Sequence, residues 1–399
     1  MGYEDPEAPV RIIKETNLTQ NNSGRIVFAA ILAIFVYGVI AAMLGVLLAS
    51  FKLTPEESGN IALAQAIGMI IASLSAGPII DKQGKKIALV AALALIAVSL
   101  FMLPGTASYN ERAGWVFVLG LGGGILVTAA NALAGDVNEE RRSSTLNFLN
   151  LFFGLGGMAT PLIAANLVNN NAQMLCWLAA GLAAVTFVVH LTTPMPAPKG
   201  AGGAMFEGAG AMLGRPALWL LAAFLFLYVA AEIGVWNWLA KYLISRGLTE
   251  NQAQNIVGSG FAFGILVGRV VVSRILIKIS APTVTLASSA LMLITTYLML
   301  NTSDPTFAWI AVFAAGIAMA PVFPTTLGMV GDAFPKSTAT AMGIVITFGW
   351  VGLAVSSRII GALGGDDPAK LGTALLVLPV VSALMVVINL ALRPMLNKA

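Results

Sequence analysis

The feature that most limits what this chain can become is a train of apolar runs, each about 20 residues long, that continues from Arg25 almost to the last residue. A helix needs roughly that length to cross the hydrocarbon of a bilayer. Inside that hydrocarbon every backbone N–H and C=O must be satisfied within the segment, which favours helices for such runs. Applying the length along the chain gives twelve spans: 25–51, 58–80, 87–104, 113–135, 145–168, 172–193, 216–243, 253–277, 282–301, 307–330, 338–363 and 372–392. Only 10% of the 399 residues are charged, against roughly 25% in a soluble domain, too few to cover a globule of this size in water. The mean hydropathy of +0.88 makes the same point. The expected fold is an all-α membrane protein. Its first apolar run, Gly24 to Phe51, exceeds the apolar core of a signal peptide and lacks a small-residue cleavage site after a short core, so it is expected to remain as a span.

Basic residues orient the spans. With the N-terminus inside, fifteen Lys and Arg fall on cytoplasmic segments and five on the outer side, while Arg269 and Arg358 stay within spans. The positive-inside bias then puts both termini in the cytoplasm. Between the sixth and seventh spans, residues 194–215 are rich in Pro, Gly and Ala and too polar to cross, which reads as a cytoplasmic linker. The expected organisation is a short segment 1–24, a six-helix bundle 25–193, the linker 194–215, a second bundle 216–392 and a tail 393–399. The bundles echo each other at an offset of 195: Leu53-Thr54 recurs as Leu248-Thr249, Asn60-Ile61 as Asn255-Ile256, and Phe153-Gly154 as Phe348-Gly349. One offset shared by separate regions indicates a duplicated unit, hence two pseudo-symmetric six-helix bundles.

Several function classes drop out. One cysteine, Cys176, permits no intrachain disulfide, and with the one histidine, His190, gives no basis for a His/Cys metal site or a Cys–His nucleophile. The glycines of 120–124 and 154–157 lie inside apolar runs, where they serve helix packing and not a nucleotide fingerprint. No P-loop pattern and no basic stripe occur, so neither an ATP motor nor a nucleic-acid partner is expected. No cofactor, metal or catalytic role is expected. The expected partners are a small solute, the bilayer, and a proton or sodium ion, with the chain acting as a monomer.

After the second span the chain reads Gly77-Pro-Ile-Ile-Asp81-Lys82-Gln-Gly84-Lys85-Lys86. Gly77 permits close helix approach and Gly84 a tight turn. Asp81 is expected to pair with a basic group at a helix end, and the lysines to face anionic headgroups. This spacing, with twelve spans in two halves, resembles the loop signature of the major facilitator superfamily over essentially the whole chain. The resemblance implies a loop that stabilises the outward-open state through Asp81 and its neighbours. A narrower resemblance is carried by Thr128-Ala-Ala-Asn131, Leu146-Asn147-Phe-Leu-Asn150, Phe153-Gly154-Leu-Gly156, Tyr228-Val-Ala-Ala-Glu232, Trp236-Asn237-Trp238 and Phe323-Pro324-Thr325. These are similar to the fucose–galactose–glucose:proton symporter family and its sugar-transporting relatives. In that family an acid in the first span, and another just before the Thr-Ala-Ala-Asn stretch, accompany proton coupling. Here the first span has no acid and the second position is Val127.

The polar residues at membrane depth are the remaining candidates, since a charge there is costly and needs a reason. Glu232 lies midway along the seventh span with Trp236 on the same face one turn on, a pairing suited to a sugar's hydroxyls and its apolar C–H face; Asn237 follows. Glu232 is also the candidate coupling residue, by proton or sodium, although a purely interhelical pairing or an uncoupled facilitator remains open. At the 195 offset it corresponds to Tyr37 in the first span. Asn147, Asn150, Gly154, Gly157 and Pro161 form one stripe on the fifth span, whose amides either reach substrate or bond across helices; Asn131 and Gln65 carry the same two readings. Trp350 is placed toward the cavity, Arg269 in structural pairing, Arg358 snorkelling to the outer interface, and His190 in solvent at the cytoplasmic end of the sixth span. The expected mechanism is a rocking of the two halves about a midplane site lined largely by spans one, four, seven and ten. The alternative solute is a drug or other small metabolite moved outward.

Overall fold

The structure is a computed structural model that describes residues 8–50, 55–168, 171–198, 209–249, 256–301, 304–364 and 370–396. The middle of the expected linker, the extreme ends of the chain, and the side chains of Asn237 and Arg358 lie outside the described residues.

Twelve helical crossings follow one another with no strand among the described residues. In the first half they are Ala8–Ser50, Pro55–Gln83, Lys85–Met102, Tyr109–Val137, the pair Arg142–Leu149 and Leu151–Asn166, and Ala172–Thr192. In the second half they are Pro216–Ser245, a π-helical turn Ile256–Ala262 running into Phe263–Ile275, Ala281–Leu300, the pair Pro305–Met319 and Val322–Ala333, Thr338–Gly364, and Leu371–Ala374 with Val377–Leu396. Ten of these are long and apolar enough to cross a membrane. The fifth is broken at Asn150, which ends one helix and begins the next, and the eighth opens on wide π-helical turns. An even number of crossings brings both chain ends to one side, called here the terminal end.

Local chemistry fixes the ends of the spans. At the far end Ser108 caps the fourth span by accepting from Glu111 N, while the Glu111 carboxylate accepts from Ser108 N, the two halves of a capping box. Asn171 and Asp304 cap the sixth and tenth spans in the same sense. At the terminal end Gly84, at φ +92°, turns the chain between the second and third spans in a conformation that costs glycine little. That turn aims Lys85 back at the end of the fourth span, where it meets Asp136 at 2.6 Å with both side chains about 5% exposed. Lys85 is therefore a buried ion-pair partner, not a headgroup anchor.

His190 likewise departs from its sequence expectation. The sixth span packs against the first and third, and His190 near its end is fully buried, with Nδ1 2.8 Å from Thr186 O. The described ends of the linker are pinned: Pro198 lies against Gly84, and Arg215 donates to Ala333 O at 2.8 Å while stacking over Phe334.

Candidate functional site

The two halves meet along two seams at the terminal end, and the polar groups singled out from the sequence sit at or just beyond them. On the first seam the second span crosses the eleventh. Asp81 Oδ1 accepts from Ala339 N at 3.1 Å, and its Oδ2 accepts from Thr340 N at 2.8 Å and Thr340 Oγ1 at 2.7 Å. The partner of Asp81 is thus the N-terminus of the eleventh span, whose unpaired N–H groups and dipole favour an anion, where a basic side chain was expected. Gly77 makes room for this: a Cβ there would lie 2.5 Å from Thr340 Cα. Further along, Trp350 Nε1 donates to Ser73 Oγ at 3.3 Å, so this ring belongs to the seam.

On the second seam the fifth span meets the eighth and tenth. Arg142, 4% exposed, donates from Nη1 to Asp332 Oδ1 at 3.2 Å and from Nε to Gly135 O at 3.3 Å. Its guanidinium occupies space that a Cβ on Gly331 would invade, at 2.5 Å from Nη1. Ser144 Oγ donates to Ser273 O, and Asn147 Nδ2 donates to Thr325 Oγ1 at 2.7 Å. The small-residue stripe continues outward, with Gly154 set against Leu266. Of the stripe seen in the sequence, Asn147 and Gly154 thus face the other half, while Gly157 lies against Gly38 of the first span.

Where the second seam reaches mid-membrane, side chains from both halves converge. Glu232 is the seventeenth of the thirty residues of the seventh span (232 − 216 + 1) and is only half-buried. It lies within the field of Arg269, with Tyr228 and Trp236 one turn to either side on its own helix. Tyr37, from the first span, shares the field of both Glu232 and Arg269. Arg269 is 2% exposed and crosses into the first half, donating from Nη1 to Asn150 O at 2.6 Å with its Cζ 5.4 Å from the Phe153 ring centre. Tyr37 and Phe153 are in ring contact at 5.0 Å, as are Trp236 and Phe261. The result is one carboxylate, one guanidinium and two aromatic pairs at the junction of the halves. A carboxylate accepts hydrogen bonds or holds a cation, while ring faces pack on apolar C–H surface.

The amides divide differently. Asn150 Nδ2 donates to Asn131 Oδ1 at 2.9 Å, and Asn131 Nδ2 donates to Val127 O at 2.8 Å. Both are spent on the fourth and fifth spans in this state. Gln65 is buried where the second span presses on Gly120 of the fourth, and no described contact joins it to Glu232. Phe153 and Tyr228 were visible in the sequence only as parts of the family-like stretches, and Arg142 and Asp332 only as charges at span ends. A separate cleft of about 580 Å³ lies at the far end of the second half, lined by Tyr242, Arg246, Tyr297 and Asn301 among others, away from this junction.

Comparison with known proteins agrees with this architecture. The glucose/mannose transporter GlcP of Bacillus subtilis is 23% identical over 330 residues, covering 79% of this chain and 81% of that protein. Among solved structures, FucP, a major facilitator transporter in the outward conformation, superposes with a TM-score of 0.80 at 18% identity, over 92% of this chain and 98% of that one. The proton:xylose symporter XylE, bound to 6-bromo-6-deoxy-D-glucose, gives 0.77 at 12% identity, over 92% and 95%. At these identities the superpositions speak for the fold. The family model for the Major Facilitator Superfamily matches residues 26–357 and again 247–398, and the chain belongs to that superfamily.

Proposed function

We propose that this multi-pass membrane protein is a secondary transporter of monosaccharides, working by alternating access between its two six-span halves. The observation that carries this reading is the Glu232 carboxylate deep in the seventh span, with Trp236 one turn on along its helix and Tyr37 of the other half within its field. It is supported by the sugars in the names of GlcP and XylE and by FucP, a fucose:proton symporter. Trp236 and Tyr37 offer ring faces, Glu232 accepts from sugar hydroxyls, and Asn131 and Asn150 form the floor. The bodies that rock are 25–193 and 216–392, joined by the linker 194–215. In this reading the terminal end lies in the cytoplasm, beneath a bacterial inner membrane, and the fifteen-to-five excess of basic residues supports the cytoplasmic side. Glu232 is the proposed coupling residue, with a proton as the coupling ion.

Proteoliposomes test the whole reading. Labelled glucose should exchange and be displaced by unlabelled hexoses, and an imposed proton gradient should drive its accumulation. Glu232→Gln should keep exchange and lose accumulation. Absence of hexose displacement would turn the reading to another small solute. Accumulation driven by sodium alone would replace the proton, and full accumulation by Glu232→Gln would remove this residue from coupling.

A further inference from the structure

Among the described residues Arg269 is the one guanidinium placed deep within a span, and its bonding is lopsided. Its strongest contact is to a main-chain carbonyl of the opposite half, Asn150 O at 2.6 Å, with a longer one to Ala320 O at 3.5 Å. Its flat face lies over Phe153. The ion pairs formed among the described residues are elsewhere, at Lys85–Asp136, Arg142–Glu139 and Arg142–Asp332. The carboxylate that faces Arg269 is Glu232, within its field but not clasped, and Tyr37 and Tyr228 complete the titratable groups around the pair. Asn150 is also the point where the fifth span is interrupted, so its carbonyl ends the short helix Arg142–Leu149 that forms much of the second seam.

We propose that Arg269 is a positioning residue that transmits the charge state of Glu232 to this seam. With Glu232 neutral, the guanidinium stays on Asn150 O and holds the fifth span against the eighth. When Glu232 gives up its proton to solvent, a stronger acceptor appears beside the cation. Hydrogen bonds between ionised partners are roughly twice as strong as neutral ones. The guanidinium swings toward the carboxylate, Asn150 O loses its donor, and the seal at the terminal end weakens. Reprotonation reverses the swing, and no other bond is made or broken. The inference rests on the transporter reading above, since it gives that site a route to the gate. It supplies what a rocking mechanism requires, an interaction that differs between the two states.

The test needs no sugar. Spin labels at Glu140 and Lys278, exposed on the two sides of this seam, are placed on a background with the native Cys176 replaced by alanine, in lipid nanodiscs. The unmodified site should show a long-distance population that grows several-fold from mildly acidic to mildly alkaline pH. Glu232→Gln should hold the short distance at every pH. Arg269→Gln should show a raised long-distance population that no longer titrates. Because that variant leaves Glu232 without its counter-charge, the neutral pair Glu232→Gln/Arg269→Gln is measured beside it and should also be flat with pH. A flat response with the site intact, or an undiminished response in Glu232→Gln or in the double variant, overturns the proposal. Hexose exchange in the same preparations separates the two readings: a titrating distance without hexose exchange refutes the substrate and leaves the switch standing.

Discussion

The two seams occupy equivalent places in a duplicated scaffold, yet they are held by different chemistry. At the 195 offset Asp81 falls on Leu276, Gly77 on Val272, and Ala339-Thr340 on Ser144-Thr145. The first seam has a carboxylate seated on a helix N-terminus. At the corresponding place the contact described on the second is the Ser144 hydroxyl on Ser273 O. Conversely Arg269 and Asn150, bonded across the second seam, correspond to Leu74 and Val345 on the first. Duplication fixes where the halves touch, and divergence has made one contact a fixed latch and the other a contact within reach of Glu232. A protein that must open one end on demand gains from this division: a latch indifferent to the site sets the resting balance, and a second contact moves it.

The sharpest way to break the comparison is to overfill the latch. Gly77→Ala would put a Cβ 2.5 Å from Thr340 Cα and 2.6 Å from Ala339 O, main-chain atoms that cannot rotate away. Overpacking of this kind costs about 1–3 kcal/mol, so the closed population at the terminal end should fall by roughly 5- to 150-fold. Labels at the exposed Gln83 and Lys336 should report it as longer distances. Val272→Ala, at the corresponding place on the second seam, only removes methyl groups and should move the same distances less. Equal shifts would mean the seams are interchangeable.

Asp81→Asn comes next. The amide keeps the shape but presents an NH₂ to donors where the carboxylate accepted from three groups. Hydrogen bonds to a charged group contribute about 1.5–3 kcal/mol against 0.5–1.5 for neutral ones, and the helix dipole adds about 0.3–1. The difference, about 1.3–2.5 kcal/mol, is a shift of roughly 10- to 60-fold toward the open form in the same label pair. Any pH response arising at Glu232 should survive it. Loss of that response would tie the latch to the site after all.

How much of this was legible in the sequence depended on how local each cause is. Crossing helices are dictated by runs of neighbouring residues, so the spans were readable, and the repeat made the Tyr37–Glu232 correspondence readable too. The interruption of the fifth span was not, because Asn150 ends a helix while its carbonyl bonds to Arg269, 119 residues away. Lys85 and His190 were assigned to headgroups and solvent on their nearness to span ends. The burial of Lys85 follows from the aim of the Gly84 turn, and that of His190 from the packing of its span against the first and third. Trp350 resembled a cavity ring from its glycine neighbours, and only the register between halves shows it bonded to Ser73.

The Arg142–Asp332 contact tests whether the charged bridge on the second seam adds much to the closed state. Arg142 is buried, but the Asp332 side chain is 57% exposed, so water screens the pair. An exposed ion pair contributes about 0.2–1 kcal/mol, and Asp332→Asn should shift the Glu140–Lys278 distances by no more than roughly five-fold. The effect should fade in about 1 M salt, where the screening length is about 3 Å. A large, salt-resistant effect would make the pair a second latch and undo the contrast.

An equally small effect should come from Trp350→Phe, which decides on which side of the boundary between seam and site this ring belongs. The substitution keeps the aromatic packing and removes the indole N–H that reaches Ser73 Oγ at 3.3 Å. Ser73 is not stranded, because its hydroxyl still donates to Gly124 O at 3.2 Å. One long neutral hydrogen bond is lost with no buried group left unpaired, so the cost should stay at or below about 1 kcal/mol, roughly a two- to five-fold shift in the Gln83–Lys336 distances. Apparent hexose affinity should change only by the factor that this population shift dictates, since a ligand that favours one state is weakened in proportion to that state's occupancy. Calorimetric titration with glucose beside the distance measurement separates the two roles. If affinity falls further than the populations account for, Trp350 touches the sugar, and the first seam is as closely bound to the site as the second.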